Sequence, residues 1–184
     1  MIRYHACMMS QALSTPMADR AEVSSTGTRV VVERATWRDL PGLARLQRRA
    51  FPPQLAYTLP TLVLLRLIPW VRMLLVRRGD QLAGCVIGDR VLEGGRVVNL
   101  AVDPAYRRQG IGRALLAAVE REMEAPVMIL MVQQENAGAR QLYLSAGYEE
   151  ELELPNYYGA GRMGVRMKKT REDASLGEDA PAGA

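Results

Sequence analysis

A chain of 184 residues, 48% hydrophobic and 24% charged, is long enough for one domain with a proper core and too short for two comfortable ones. A formal net charge of +4 permits an anionic ligand but is too weak to argue for nucleic acid. Two cysteines, Cys7 and Cys85, exclude a disulfide framework, and the single histidine, His5, leaves no histidine triad or multi-histidine metal site to build in the core, so no metal is expected.

Residues 1–28, rich in Ser, Thr, Ala and Met and lacking periodicity, read as a flexible N-terminal extension without a secretory signal. "RVVVERAT" (Arg29 to Thr36) reads as a strand. "WRDLPGLARLQRRAF" places Leu40, Leu43, Leu46 and Ala50 at helical spacing, with Asp39 near the start and a basic far end. "FPPQLAYT" is a loop carrying two prolines and Tyr57. "LPTLVLLRLIPWVRMLLV" (Leu59 to Val76) is the most membrane-like stretch. A spanning helix needs about twenty largely uncharged residues, and Arg66, Pro69 and Arg72 interrupt this one. It reads as a helix over Leu59 to Ile68 and a strand over Met73 to Arg77, and a cytoplasmic protein without a membrane partner is expected.

Gly79-Asp80 marks a turn into a strand over Leu82 to Asp89, where Cys85 reads as a free buried thiol. Glu93 to Gly95 makes a second turn before the strand Val97 to Val102, in which alternation sends Val98, Leu100 and Val102 to one face. Asp103-Pro104 ends that strand. The following helix buries Ile111, Leu115, Val119 and Met123 and exposes Arg113, Glu120, Arg121 and Glu124. "PVMILMV" reads as a continuous apolar strand, and "NAGARQLYLSAG" as a short helix ending on Gly147. Two strands, "YEEELEL" and "RMGVRMKK", flank the loop "PNYYGAG", and residues 171–184 read as a disordered tail. Strands at both ends with helices between them predict an α/β fold, a mixed sheet with helices on its faces.

The chemistry concentrates at "RRQGIG" (Arg107 to Gly112), between the strand and the long helix. Gly110 and Gly112 remove side chains where a ligand approaches backbone, and the first-turn N–H groups of the helix sit unpaired at the positive end of its dipole. That suits a phosphate or pyrophosphate, with charge added by Arg107, Arg108 and Arg113. An ordinary strand-to-helix turn with solvated arginines is the alternative. A triphosphate loop is excluded because no lysine follows Gly112, and the dinucleotide fingerprint because only two of three glycines are present.

This stretch, preceded by "LAVDPAYRR", resembles motif A of the GNAT acetyltransferase superfamily, [QR]xxGx[GA]. "VQQENAGARQLYLSAGY" is similar to a second family signature, held here by Asn136, Ala139, Leu142, Tyr143, Gly147 and Tyr148. The resemblance implies a GNAT fold over residues 29–170: a central sheet of about six to seven strands, about four helices, and a splayed parallel strand pair. It implies acetyl-CoA as co-substrate. The pyrophosphate would rest on the backbone of Arg107, Arg108, Gln109, Gly110, Ile111, Gly112 and Arg113. The pantetheine would run along Leu100, Ala101 and Val102, with Asn136 helping to hold it. Tyr143 would be the general acid for the leaving thiolate, although spacing alone is equally served by a packing tyrosine.

"NYYG" (Asn156 to Gly159) resembles the loop before the last strand in the RimI-like and protein N-terminal acetyltransferase branch, which makes Tyr57, Tyr157 and Tyr158 candidate substrate contacts. The resemblance implies an N-acetyltransferase acting on a protein or peptide amine, as monomer or homodimer and without nucleic acid. The alternatives are a small-molecule amine acetyltransferase and a non-catalytic acyl-CoA-binding module. Two departures from the branch bear on the acceptor: Met131 stands where a glutamate or histidine is usual, and Arg162 and Met163 replace an acidic pair.

Overall fold

The computed structural model describes residues 20–25 and 28–171. The valine-rich run forms Thr28–Arg34 (β2), and a six-residue strand, Arg20–Ser25 (β1), covers its outer edge. That strand falls inside the segment expected to be a flexible extension. Its composition does not announce it, since only Val23 is a strong strand former. The unpaired edge of β2 decides: the ladder runs from Arg20 opposite Glu33 to Ser25 opposite Thr28 and satisfies backbone groups on both strands. Residues 1–19 and 172–184, which include the expected tail, lie outside the described residues.

A 3-10 turn, Trp37–Asp39, leads into helix Leu40–Ala50 (α1). Asp39 Oδ2 starts it by accepting from the Thr36 N–H (2.7 Å) and hydroxyl (2.8 Å). Helix Leu59–Leu67 (α2) and strand Arg72–Arg78 (β3) replace the membrane-like stretch, as expected. Among the described residues no helix is long and apolar enough to cross a membrane. Strands Gln81–Val91 (β4) and Gly94–Val102 (β5), helix Ile111–Met123 (α3) and strand Val127–Gln133 (β6) follow. Helix Ala137–Leu144 (α4) and strands Glu149–Leu154 (β7) and Gly164–Thr170 (β8) complete the domain. Among the described residues the sheet has eight strands in the order β1-β2-β3-β4-β5-β6-β8-β7, one more than the upper expectation because of β1.

Two apolar clusters sandwich the sheet. On one face α3 buries Ile111, Leu115, Val119 and Met123, each at most 1% exposed and each stabilising by about 1.5–3 kcal/mol. The helix beds this closely because β4 carries glycine beneath it. A Cβ on Gly84 would stand 2.9 Å from both Ile111 and Leu115, and one on Gly88 would stand 2.6 Å from Val119. Glu120, expected on the solvent side of α3, instead turns to Lys169 Nζ at 2.7 Å. On the opposite face α1 and α2 cover Leu75, Cys85, Ile87 and Ala101.

Two features of β5 and β6 position the site. Asn99 lies opposite Ile87 and Val97 opposite Gly88, so Val98 is a bulge residue without a partner on β4. The extra residue breaks the alternation expected from sequence. Val97, Leu100 and Val102 face α3, whereas Val98 packs with α1 and α2. Moreover, β5 and β6 are parallel neighbours only over Gly95–Val97 against Met128–Leu130. Beyond Val97 they part, which is the splayed pair the resemblance implied. β6 is buried on alternate residues only: Met128, Leu130 and Val132 enter the core, while Ile129 and Met131 stay half-exposed on the other face.

Candidate active site

The strand-to-helix junction is built by short-range bonds. Asp103 donates its N–H to Ala83 O (2.9 Å), and its Oδ1 caps the 3-10 turn Pro104–Tyr106 by accepting from the Ala105 N–H (3.0 Å). Burial alone would raise this carboxyl, but the Ala105 N–H and Arg49, 2.6 Å away, hold it below the usual carboxylate range. The chain then passes through two left-handed residues, Arg108 (φ 63°) and Gly110 (φ 76°), the second being the N-cap of α3. The Ala114 N–H closes the first turn onto Gly110 O (3.0 Å), so the N–H groups of Ile111, Gly112 and Arg113 have no intrahelical acceptor and lie at the positive end of α3. At Gly112 an added Cβ would come within 3.2 Å of Leu142 and 3.7 Å of Val102, so the first turn of α3 presses on α4 and β5.

The candidate residues here play unequal parts. Arg108 and Gln109 are exposed, and Arg113 reaches Ser145 Oγ (3.1 Å) at the end of α4. The Arg107 guanidinium donates to two carbonyls, Val102 O (3.3 Å) and Ala50 O (3.2 Å). It therefore ties β5 to the end of α1. Ala101 and Ile111 are buried to 1%, so only their backbone faces the opening, while Leu100 and Val102 are half-buried against the α3 cluster. Asn136 Oδ1 accepts from the Ala139 N–H (3.1 Å) as the N-cap of α4, so only its amide nitrogen is free toward the junction.

Tyr143, on α4, is 7% exposed, and its ring meets Tyr148 edge-to-face with centroids 5.9 Å apart. Burial pushes its phenol up to about 12, so it carries its proton at neutral pH. The remaining candidate tyrosines are Tyr57, Tyr157 and Tyr158. Asn156 (φ 60°) shapes the β7–β8 loop by accepting the Gly161 N–H at 2.7 Å on its side chain, and the Tyr157 and Tyr158 rings meet at 5.0 Å. The Tyr158 phenol is raised by burial and then by Tyr157, Tyr143 and Tyr57, so Tyr158 lies within electrostatic reach of the other three. Tyr57 is raised chiefly by burial and also senses Arg96, Tyr157 and Asp89.

A family model described as "Acetyltransferase (GNAT) domain" matches residues 69–150, from the start of β3 to the start of β7. The chain carries a GNAT acetyltransferase domain. Its relatives agree with its geometry. The [ribosomal protein bS18]-alanine N-acetyltransferase of Escherichia coli K12 is 39% identical over 84 residues, which are 44% of this chain and 57% of that enzyme. The chain thus matches a little over half the length of the curated relatives of this kind. The crystal structure of the Escherichia coli ribosomal-protein-S18-alanine N-acetyltransferase superposes with a TM-score of 0.68 at 28% identity, covering 82% of this chain and 97% of that one. The PaiA N-acetyltransferase of Thermoplasma acidophilum, solved with coenzyme A, shares the fold at a TM-score of 0.65 and 16% identity, covering 77% and 99%.

Three features of this GNAT domain escaped the sequence. Gln47, in the middle of α1, is fully buried and pairs with Asn99 beside the β5 bulge. Asp89 and Arg96 form a double-bonded ion pair (2.9 and 2.5 Å) on the face that carries Tyr57. Their signal was the Glu93–Gly95 turn, which brings the two residues opposite each other in the hairpin, but only the register reveals it. Glu151 is ion-paired to Arg166 at 2.9 Å.

Proposed function

We propose that this GNAT domain is an acetyl-CoA-dependent N-acetyltransferase of the cytoplasm that transfers acetyl directly to a primary amine, the α-amine or a lysine of a protein or peptide. The observation that carries the reading is the parting of β5 and β6 beside the N-terminus of α3, together with Tyr158 lying within electrostatic reach of Tyr143, Tyr57 and Tyr157.

The residues fit an acyl-CoA. The N–H groups at the start of α3, with Arg108 and Arg113 nearby, suit a pyrophosphate. The edge of β5 from Leu100 to Val102, unpaired toward β6, offers an extended amide chain the bonds a neighbouring strand would make. Bound there, acetyl-CoA supplies an activated acyl carbonyl. Backbone N–H at the Val98–Asn99 bulge stabilises the oxyanion as the amine nitrogen bonds to that carbon. Tyr143 then gives its proton to sulfur as the C–S bond breaks, and the second proton, shed by the newly acylated nitrogen, returns through water to reprotonate the phenolate. Met131 cannot take the proton of the incoming ammonium, and Asp89 is held by Arg96, so that proton leaves through water before attack.

The same ion pairs favour a peptide over a small polycation. Asp89 is bound to Arg96 and Glu151 to Arg166, so neither offers a free carboxylate to a polycation. The test is thiol release by the purified chain with peptides bearing free N-termini, N-blocked peptides with and without lysine, polyamines and aminoglycosides. Turnover of free-amine peptides is expected. Turnover of polyamines or aminoglycosides alone would overturn the acceptor, and acetyl-CoA binding without thiol release to any amine would overturn catalysis.

A further inference from the structure

The most completely satisfied polar side chain near the centre belongs to Gln47. It is 0% exposed in a helix whose inner face is otherwise apolar. Its Nε2 donates to Asn99 Oδ1 at 2.7 Å and points its amide at Cys85 Sγ at 3.6 Å. Its Oε1 accepts from Asn99 Nδ2 (3.3 Å) and from the backbone N–H of Tyr57 (3.4 Å). An amide has two donors and two lone pairs, and all four are used. No other side chain matches this pattern: glutamate lacks the donors, and leucine would leave the Asn99 amide and the Tyr57 N–H without partners in a half-buried place.

What those bonds join matters more than their number. Asn99 follows the bulge residue Val98, where β5 begins to part from β6. Tyr57 opens onto the acceptor groove from the α1–α2 connection. One buried side chain thus clasps the strand at the acyl gap and the loop that lines the acceptor side. Apolar packing of α1 needs no such group, because Leu43, Leu46 and Leu40 already fill that face.

We infer that Gln47 is a positioning residue for acetyl transfer: it holds the Val98–Asn99 bulge and the Tyr57 loop in one fixed relation, so that the oxyanion-stabilising backbone and the acceptor groove are aligned together. This rests on the transferase reading above. Loss of the clasp lowers kcat and raises KM for the acceptor, while acetyl-CoA affinity, which rests on the first turn of α3 and the β5 edge beyond Asn99, holds because the β4–β5 ladder continues through Val102.

The test uses the full chain with Gln47→Leu, Asn99→Leu, Gln47→Asn, Asn99→Gln and the exchange variant Gln47→Asn/Asn99→Gln, which keeps an amide pair of the same total length. Each single variant is expected to lose about tenfold or more in kcat/KM for a peptide with unchanged acetyl-CoA affinity in calorimetry, and the exchange variant to recover most of it. Amide hydrogen exchange reads the clasp without turnover: the Tyr57 N–H is protected in the wild type and exchanges faster in Gln47→Leu. A wild type that turns over peptide while the single variants match its kcat/KM would overturn the inference and leave the transferase reading standing. A wild type without turnover, yet with the Tyr57 exchange change, would instead sink the transferase reading. Equal Tyr57 exchange in the two proteins would refute the clasp itself.

Discussion

Tyr143→Phe isolates one oxygen. The phenylalanine ring keeps the 5.9 Å edge-to-face contact with Tyr148 and the surrounding cluster, so stability should change by about 1 kcal/mol or less. Catalysis should change more. A positioned general acid contributes about 10²–10⁴-fold, or about 2.7–5.4 kcal/mol at about 1.36 kcal/mol per decade. A thiolate, whose acid has a pKa of about 8.5, leaves far more readily than an alkoxide, which places the loss at the lower end, about 10²-fold in kcat. The acceptor KM and acetyl-CoA affinity should hold. A second readout follows from burial. The Tyr143 phenol rises from 10.0 to about 12 on folding, so folding favours the protonated form; its contribution is fully present below pH 10 and is lost between pH 10 and about 12. Wild type should therefore lose more melting temperature across that window than Tyr143→Phe. The wild-type rate should also climb with the free-amine fraction and show no falling limb below pH 10. A Tyr143→Phe enzyme within threefold of wild-type kcat, measured by thiol release with saturating peptide, would refute the general-acid role.

Gly110→Glu should abolish acetyl-CoA binding, because it places a carboxylate at the helix N-terminus and a side chain at φ 76°; Gly110→Ala, strained but uncharged, should weaken it far less. Equal calorimetric affinities for both variants and wild type would move the pyrophosphate elsewhere. Gly84→Val should cost about 1–3 kcal/mol and several degrees of melting temperature, since its Cβ meets Ile111 and Leu115 at 2.9 Å and Ala101 O at 3.1 Å; an unchanged melting curve would contradict that packing. Cys85, 1% exposed and pushed up to about 12 by burial, should resist iodoacetamide at pH 8 until denaturant is added. Rapid native labelling of its peptide, followed by mass spectrometry, would count against the buried thiol.

What could be read in advance divides along a physical line. Local rules reach as far as one element and its cap. The apolar stripe of α3 and the turn at Gly79-Asp80 follow from spacing and backbone sterics, and the structure places them where these rules predict. The splayed pair was legible only through resemblance, because parallel pairing between β5 and β6 joins segments separated by a whole helix. Registers defeat local reading altogether. One unpaired residue, Val98, shifts half of β5 to the other face, and no rule of alternation in that strand betrays it, because the extra residue is defined by its partner β4. Side-chain bonds are hidden for a related reason: Arg107 stands beside Arg108 in the sequence, yet the end of α1 offers it a carbonyl at 3.2 Å that only the folded chain brings near. The same holds for Gln47, whose four bonds reach three residues, in β4, β5 and the α1–α2 connection. A glutamine in a leucine-lined helix suits an exposed position until those elements close around it, and once buried it ties the β5 bulge to the Tyr57 connection.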